Sequence, residues 1–257
     1  MNDAFIVQGF SEDGIPKFPC PSCSIGWLVK SKFEYAYNAE TAKNHNEPWF
    51  DVENYGFVFS CLLECNNCSE AVSSSGVGGV ERHYDEENPG QTVHYEYFVP
   101  TFFQPALPII KFPSGPTFPK KIRDILEKSF SLFWCDYDAC ANRIRATLEI
   151  LLDDMQVKRR VNPDAGKELN LHQRIETLTP VDGTKEADVK EMLMALKWLG
   201  NAGSHELEGI SRSQLVQGYK MMENVLKLQY PAIDHEMPML VAKAKEVNLV
   251  KKWHPGL

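Results

Sequence analysis

Two cysteine pairs constrain the front of this chain more than any other feature. They are Cys20-Pro-Ser-Cys23 and Cys65-Asn-Asn-Cys68, and the spacing within each pair lets both thiolates reach one tetrahedral metal ion. Four sulfur ligands fill a structural zinc site and leave no open position, so the pattern predicts bound Zn²⁺ in a structural role. The alternatives are two unrelated CxxC turns or a redox pair of the thioredoxin type, but the redox motif comes singly, before a helix in a βαβ unit.

The region between the two pairs is longer than the spacer of a short zinc ribbon. It spans 41 residues, so we expect an inserted loop or hairpin there. The runs 26–30 and 55–63 are aromatic and β-branched, which favours strands that place each cysteine pair at a strand edge. Cys61 lies on the second run and could compete for the metal, but we interpret it, like Cys135 and Cys140, as a buried small hydrophobic residue.

Turn-forming residues separate the apolar stretches that follow. The runs 73–79 and 85–90 are predicted to be flexible turns, so the stretches around them, including 93–99, can form a hairpin. Prolines then recur over twenty residues, at Pro100, Pro105, Pro108, Pro113, Pro116 and Pro119. They exclude a regular helix there and favour an extended connector between two parts of the molecule.

Beyond Pro119 the apolar residues recur at helical spacing. Five stripes predict a bundle of five helices: Ile122, Leu126, Phe130 and Phe133; Ile144, Leu148, Leu151 and Met155; Leu171, Ile175 and Leu178; Val189, Met192, Leu196 and Leu199; Leu215, Tyr219, Met222 and Leu226. Thr184 is a candidate N-cap of the fourth helix, the capping box Ser211-Arg-Ser-Gln214 opens the fifth, and a last helix is predicted at about 238–247. The expected fold class is α+β, with a small β-rich, zinc-ribbon-like module before an all-α bundle.

Charge divides the chain at the same place. Residues 1–112 carry 6 Lys/Arg against 15 Asp/Glu, whereas residues 113–257 carry 21 against 20. We therefore expect two domains, with 1–112 as the zinc-ribbon-like module and its proline-rich connector, and 113–257 as the helical bundle. Because the chain has no basic block longer than residues 158–160, we do not expect generic coating of DNA.

The composition does not favour a membrane or secreted protein. With 43% hydrophobic and 24% charged residues the chain resembles a globular protein, and no window reaches the roughly 18 apolar residues that a membrane-spanning helix needs. The first residues show neither the basic start nor the apolar core of a signal peptide. We therefore expect a cytoplasmic protein without membrane contact.

One polar cluster in the helical half is a candidate site. Residues 198–205 read Trp-Leu-Gly-Asn-Ala-Gly-Ser-His, and Arg145 and Glu149 lie one turn apart on the second predicted helix. Three interpretations are open: a structural helix end, a nucleic-acid or nucleotide contact without cleavage, and ribonuclease chemistry. In the first, the helix ends at Gly200-Asn201, Lys197 faces the helix dipole, and Arg145 forms a salt bridge with Glu149.

These residues resemble a known family. The segment 196–205, preceded by Arg145-Ala-Thr-Leu-Glu149, resembles the family called domain of unknown function 4145, and the resemblance covers roughly residues 20–230. That family occurs in restriction-system subunits and in prokaryotic phage-defence loci, and it often follows a CxxC…CxxC module. It is similar to the HEPN superfamily of small helical bundles, many of which are metal-independent ribonucleases, so the resemblance implies a HEPN-like bundle here.

The resemblance also implies roles for particular residues. The HEPN signature is an arginine, a polar residue, three others and a histidine; here it falls on Gly200, Asn201 and His205, with glycine in place of the arginine. In such a ribonuclease His205 would move protons at the ribose 2′-hydroxyl with help from Asn201, and the arginine would stabilise charge on the phosphate. Lys197, or Arg145 on the neighbouring helix, could supply the missing charge.

Two functions follow as expectations. The first, favoured by the missing arginine, is a zinc-binding recognition or adaptor protein with a degenerate HEPN-like domain, which holds a partner protein or RNA within a prokaryotic anti-phage or restriction-type defence system. The second is a metal-independent HEPN-type ribonuclease effector that uses His205. Because HEPN-type bundles commonly pair so that two signatures share one cleft, the resemblance further implies a homodimer through the helical domain.

Overall fold

Strands occupy the front of the chain and helices the back, so the predicted α+β class is confirmed. The computed structural model describes residues 3–23, 25–85, 88, 90–115, 117–160, 167–179, 185–205, 209–231, 243 and 245, with the backbone alone for residues 3 and 203–205. Its elements are β1 (Leu28–Tyr37), α1 (Ala39–Asn44), β2 (Gly56–Cys65), β3 (Ala71–Tyr84), β4 (Thr92–Gln104), α2 (Lys120–Leu132), α3 (Tyr137–Asp154), α4 (Leu171–Glu176), α5 (Lys185–His205) and α6 (Arg212–Gln229).

The four strands form one antiparallel sheet in the order β1-β2-β3-β4. Strands β1 and β2 pair from Leu28 opposite Cys65 to Tyr37 opposite Phe57, and their connection fills the gap between the two cysteine pairs, as the predicted hairpin requires. Alternate residues of β2 face the core, from Phe57 to Cys65, while the residues between them are exposed. This alternation means that one face of the sheet packs against the rest of the protein and the other faces solvent.

The prediction of a turn at 73–79 is wrong, because these residues form the middle of β3. Their small size serves close packing instead. A Cβ on Gly76 would lie 2.1 Å from the carbonyl oxygen of Val99 on β4 and 2.7 Å from the ring of Phe59 on β2. A Cβ on Gly78 would meet β4 in the same way, 2.5 Å from the nearest carbonyl oxygen. Glycine is required here because a side chain would collide with the neighbouring strand or with a core ring, and not because the chain reverses direction.

The second predicted turn is confirmed, and the connector begins later than expected. The Asp85 amide donates to the Gln91 carbonyl oxygen at 2.9 Å, which closes the turn between β3 and β4. Pro100 is part of β4, opposite Gly76 and beside an irregularity in the strand register, where a missing N–H is tolerated. The described residues of 105–119 contain neither helix nor strand, so the extended connector occupies this shorter range.

Helices α2 to α6 correspond to the five predicted stripes. Helix α3 packs against α2 and α5, and α5 packs against α6. The predicted capping box at the start of α6 is present, since the Ser211 side chain accepts from the Gln214 amide and the Gln214 side chain accepts from the Ser211 amide. Thr184 and the last helix predicted at 238–247 lie outside the described residues, apart from the helical positions 243 and 245.

The sequence predicts burial of the three cysteines outside the two pairs. Cys61 and Cys140 are buried, with exposed fractions of 4% and 0%, but Cys135 is exposed. The prediction for Cys135 is therefore wrong: this residue follows the end of α2, in the turn that leads to α3, and lies off the apolar stripe of either helix.

The two halves share one hydrophobic core. Phe18 from the front half packs on Phe103 of β4 with ring centroids 5.2 Å apart, and Phe103 packs on Trp134, beyond α2, at 4.5 Å. Phe5 packs on Phe133 at 6.1 Å. The boundary at 112/113 therefore separates two kinds of secondary structure that are joined by aromatic packing. No helix among the described residues is long and apolar enough to cross a membrane.

Candidate metal centre and basic cluster

Four cysteine sulfurs converge between the start of β1 and the end of β2. Cys20 and Cys23 lie in the turn before β1, Cys65 is the last residue of β2, and Cys68 lies in the turn before β3. The four sulfurs, named here the cysteine centre, all lie within 4.8 Å of one another. Two of the distances are 3.6 Å, from Cys20 to Cys68, and 3.7 Å, from Cys23 to Cys65.

These distances fit metal ligands and not disulfides. A tetrahedral zinc ion with Zn–S bonds of about 2.3 Å holds its sulfurs about 3.8 Å apart, whereas a disulfide requires about 2.05 Å. All seven cysteines of the chain are unbridged. The predicted ligand set Cys20, Cys23, Cys65 and Cys68 is thus brought together in a geometry compatible with one four-coordinate metal ion.

Backbone amides donate to the sulfurs of Cys20 and Cys23 and stabilise the thiolate of Cys23. The Ser22 amide donates to Cys20 Sγ at 3.4 Å, and the Gly26 amide donates to Cys23 Sγ at 3.4 Å. The amides of Gly26 and Ile25 lower the pKa of the Cys23 thiol to about 6, because their N–H groups stabilise the thiolate. A metal ion binds the thiolate form, so these amides favour the ligand state of Cys23, whereas burial raises the pKa of the Cys20 thiol.

Gly26 allows the two cysteine pairs to approach each other. A Cβ at this position would lie 2.6 Å from Cys65 Sγ and 2.7 Å from the side-chain oxygen of Asn66. The same Asn66 oxygen accepts the Trp27 amide at 3.0 Å, which ties the second pair to the start of β1. Sequence reasoning did not single out this glycine, although its place three residues after Cys23 was the available signal.

The predicted polar residues of the helical half meet where α3 crosses α5. Arg145 Nε donates to the side-chain oxygen of Asn201 at 3.1 Å. The prediction that Gly200-Asn201 ends the helix is wrong, since α5 continues to His205. A Cβ on Gly200 would lie 2.3 Å from the Cβ of Arg145, so the glycine is required by the helix crossing. The His205 side chain lies outside the described residues.

Glu149 has a different partner from the predicted one. Its carboxylate accepts from Arg174 of α4 at 2.7 Å, and Arg174 also donates to Asp153 at 2.8 Å. Arg174 is 1% exposed, so both carboxylates serve to neutralise a buried cation. The hydrogen bond from Arg159, together with Arg174, holds the pKa of Asp153 below its usual value. The predicted salt bridge from Arg145 to Glu149 is therefore wrong.

Lys197 lies beside Arg145 and is almost fully buried. It is 6% exposed, and its ammonium lies 3.3 Å from the ring centroid of Trp198 and 3.5 Å from His172 Nδ1 on α4. Burial, and then the charge of Arg145, lower the pKa of Lys197. Trp198 is 57% exposed. We name Arg145, Lys197, Asn201, His172 and Trp198 the basic cluster.

Among the described residues, no carboxylate lies within 4.0 Å of the charged nitrogens of Arg145 or Lys197. The nearby described carboxylates form ion pairs with other cations. Glu149 and Asp153, for example, pair with Arg174. His172 fits no ligand or catalytic spacing in the sequence. The spacing of residues within α5 could not predict that His172 belongs to the cluster, because His172 lies on a separate short helix, α4.

The two halves match two family models. Residues 8–103 match the model described as domain of unknown function (DUF8608), and residues 127–251 match the model described as domain of unknown function (DUF4145). The second match agrees with the family that the sequence resembles and contains the entire basic cluster, but the predicted extent of roughly residues 20–230 is wrong, because the front half matches a separate model. No curated protein and no solved structure matches the chain. Because neither description names an activity, the residues themselves carry the functional interpretation.

Proposed function

We propose that this protein is a zinc-binding recognition protein that holds RNA against the basic cluster of a HEPN-like helical half. One observation carries the proposal: Arg145 and Lys197 lie side by side without a carboxylate partner in the described part of the chain. Two neighbouring cations repel each other, and the burial of Lys197 adds a desolvation cost. A phosphate between them relieves both costs.

The chemistry of the cluster suits a single-stranded nucleic acid. Arginine presents a planar fork to phosphate oxygens and lysine adds a point charge. Trp198 offers an exposed ring beside these charges, and stacking of a base on an aromatic ring is worth about 1–3 kcal/mol. Two cations are too few for coating of a duplex, so the expected contact is local.

Zinc has a structural role in this proposal. Four thiolates complete its tetrahedral coordination, which leaves no position for water or substrate. Holding Cys20 and Cys23 against Cys65 and Cys68 fixes the turn before β1 to the end of β2. The metal therefore stabilises the zinc-ribbon-like front half and takes no part in recognition of RNA.

A ribonuclease of the HEPN type is the second candidate, and one observation favours it. Arg145 lies against Gly200, so a guanidinium is present beside the position where the signature has arginine, and it already binds Asn201. Positions 197, 201 and 205 of α5 are four residues apart and share one helical face. In this function Arg145 would stabilise charge on the phosphate and His205 would act as acid and base.

Binding and cleavage of a short end-labelled single-stranded RNA test both candidates. The zinc-loaded protein is used without added divalent metal or chelator, because a chelator would remove the zinc. Lys197→Met should weaken binding roughly tenfold, the equivalent of one charge-assisted hydrogen bond. Lys185→Met, an exposed lysine on the same helix, is the matched control and should bind as the wild type does.

The outcomes separate the candidates. Cleavage that His205→Ala removes supports the ribonuclease, and binding without cleavage supports recognition. Absence of RNA binding by the wild type, or equal loss in both lysine variants, contradicts the proposal and leaves a protein partner as the remaining alternative.

The setting and the assembly state belong to the same proposal. A prokaryotic anti-phage or restriction-type system is the setting that the resemblance to domain of unknown function 4145 implies, and we propose it on that resemblance alone. The helical half is proposed to form a homodimer. Light scattering at micromolar concentration tests this, and a monomer would contradict it.

A further inference from the structure

A large cavity lies between the first cysteine pair, the proline-rich connector and α2. Its volume is about 880 Å³, within the range of about 300–1,000 Å³ that is typical of sites for small ligands. One wall comes from the segment between Lys17 and Trp27, a second from connector residues 105–112, and a third from Arg123, Glu127 and Phe130 of α2. We name this cavity the connector pocket.

Positive charge is concentrated at the connector pocket. The front half carries only 6 Lys/Arg, and two of them, Lys17 and Lys111, line the pocket. The same half carries 15 Asp/Glu, yet none of those that the structure describes is a lining residue. Arg123 adds a third cation, and Glu127 is the one carboxylate among the described lining residues. An acidic half of the protein thus contributes cations and no described carboxylate to this cavity.

Aromatic rings hold two of these cations in place. The Lys17 ammonium lies 5.1 Å from the ring centroid of Trp27. The Arg123 guanidinium lies 4.6 Å from the ring of Phe112 and 5.4 Å from the ring of Phe118. A stacked guanidinium keeps its edge N–H groups available for an anion, so Arg123 is oriented before any ligand binds.

The rest of the lining is apolar and partly exposed. Prolines from the cysteine turn and from the connector face the cavity. Ile25 and Trp27, both lining residues, are 80% and 41% exposed, so apolar surface is presented to solvent at this site. An uncovered apolar wall beside fixed cations is complementary to a molecule that has an apolar body and an anionic end.

We infer that the connector pocket binds a small amphipathic organic acid, with its anionic group at Arg123 and Lys111 and its apolar body against Trp27 and the prolines. The pocket is separate from the basic cluster, since the two share no residue. The inference does not depend on RNA binding, and failure of one leaves the other intact. Gly26 and Trp27 line the pocket, and the Gly26 amide donates to Cys23 Sγ, so one wall of the pocket is joined to the cysteine centre.

The test uses 1-anilinonaphthalene-8-sulfonate, a fluorescent dye with an apolar aromatic body and one sulfonate. The metal-loaded full chain should bind one dye saturably, and Arg123→Gln should weaken this binding roughly tenfold through loss of a charge-assisted contact. Lys128→Gln, an exposed lysine on the same helix and not a lining residue, is the matched control and should bind the dye as the wild type does. The neutral analogue N-phenyl-1-naphthylamine should bind weakly, because it lacks the sulfonate.

Near-UV circular dichroism of each variant confirms that it is folded, since the dye also binds partly unfolded proteins. If Arg123→Gln alters that spectrum, the exposed connector residue Lys111→Gln provides the same measurement. The inference is wrong if the wild type shows no saturable binding, if the folded charge variant binds as tightly as Lys128→Gln, or if the neutral dye binds as well as the sulfonate.

Discussion

The cysteine centre and the basic cluster differ in how their polar groups are satisfied. At the cysteine centre backbone N–H groups donate to the sulfurs of Cys20 and Cys23, and the four sulfurs lie at a spacing compatible with one metal ion. In the basic cluster, by contrast, Lys197 is buried beside another cation and has no described carboxylate partner. The first site has the geometry of a four-coordinate metal centre, and the second is the one that we propose to bind a ligand from outside the chain. Stability is therefore expected to depend on the first and recognition on the second.

The largest effect is expected when the cysteine centre loses one ligand. Cys65→Ser should release the metal and unfold the sheet around it, because the binding free energy of a structural zinc, about 10–16 kcal/mol in small zinc modules, is also folding free energy. Metal analysis and thermal melting of the purified variant measure both effects. Cys135→Ser, at an exposed cysteine outside the centre, is the control and should retain metal. Retention of metal by Cys65→Ser would contradict the expectation that stability depends on the cysteine centre.

A smaller effect is expected at the paired cation of the helical half. Arg174→Met should destabilise the protein by about 3 kcal/mol, because Glu149 and Asp153 lose their shared buried partner. Chemical denaturation measures the free energy of unfolding. The same substitution at Lys197 is the comparison, since Lys197 has no such carboxylates. Equal destabilisation by the two variants would show that ion pairing with carboxylates does not make Arg174 more important for stability than Lys197.

Gly200 tests the helix crossing that holds the basic cluster. Gly200→Ala should cost about 2 kcal/mol of stability, because its Cβ would lie 2.3 Å from that of Arg145 and would push α3 away from α5. Metal content should not change, since the cysteine centre is in the other half. Gly115→Ala is the control, where an added Cβ meets no atom closer than 3.7 Å. Unfolding by denaturant should leave that variant close to the wild type.

The smallest effect on stability is expected from Lys197→Met. The direction of this change shows whether Lys197 serves recognition or stability. Removing a buried cation that lacks a carboxylate should leave thermal stability equal or higher while RNA binding falls. Because the pKa of folded Lys197 is lowered, the unfolded chain binds more protons between that lowered pKa and the ordinary lysine pKa. Wild-type stability should therefore rise relative to Lys197→Met as the pH increases through this window. Melting temperatures of both proteins over that range check the sign, and a wild-type advantage that falls with pH would contradict it.

Local spacing was enough to predict the ligands of the cysteine centre and the five helices. A CxxC pair places two sulfurs near one point, and a stripe of apolar residues at helical spacing defines its own buried face. The buried stripe Ile122, Leu126 and Phe130 of α2 is an example. In these cases the information lies within one turn or one helix.

Contacts between distant segments could not be predicted in the same way. Glu149 could be paired in sequence only with a residue of its own helix, whereas its partner Arg174 comes from α4. The glycines at 76 and 200 look like turn or cap residues because both roles use a missing Cβ, and only the neighbouring strand or helix shows which one applies. His172 entered the basic cluster by the same route, through a short helix that no motif linked to Lys197.

The aromatic packing between Phe18, Phe103 and Trp134 has a practical consequence for ligand discovery. Because this shared core couples the sheet to the helices, unfolding of one half removes packing from the other. A molecule that binds only the folded state raises the melting temperature by mass action, whichever half it contacts. A single thermal-shift screen of the intact chain therefore reports occupancy of the basic cluster, the cysteine centre and the connector pocket together. A fragment cut at residues 112/113 would expose these rings and lose that shared signal.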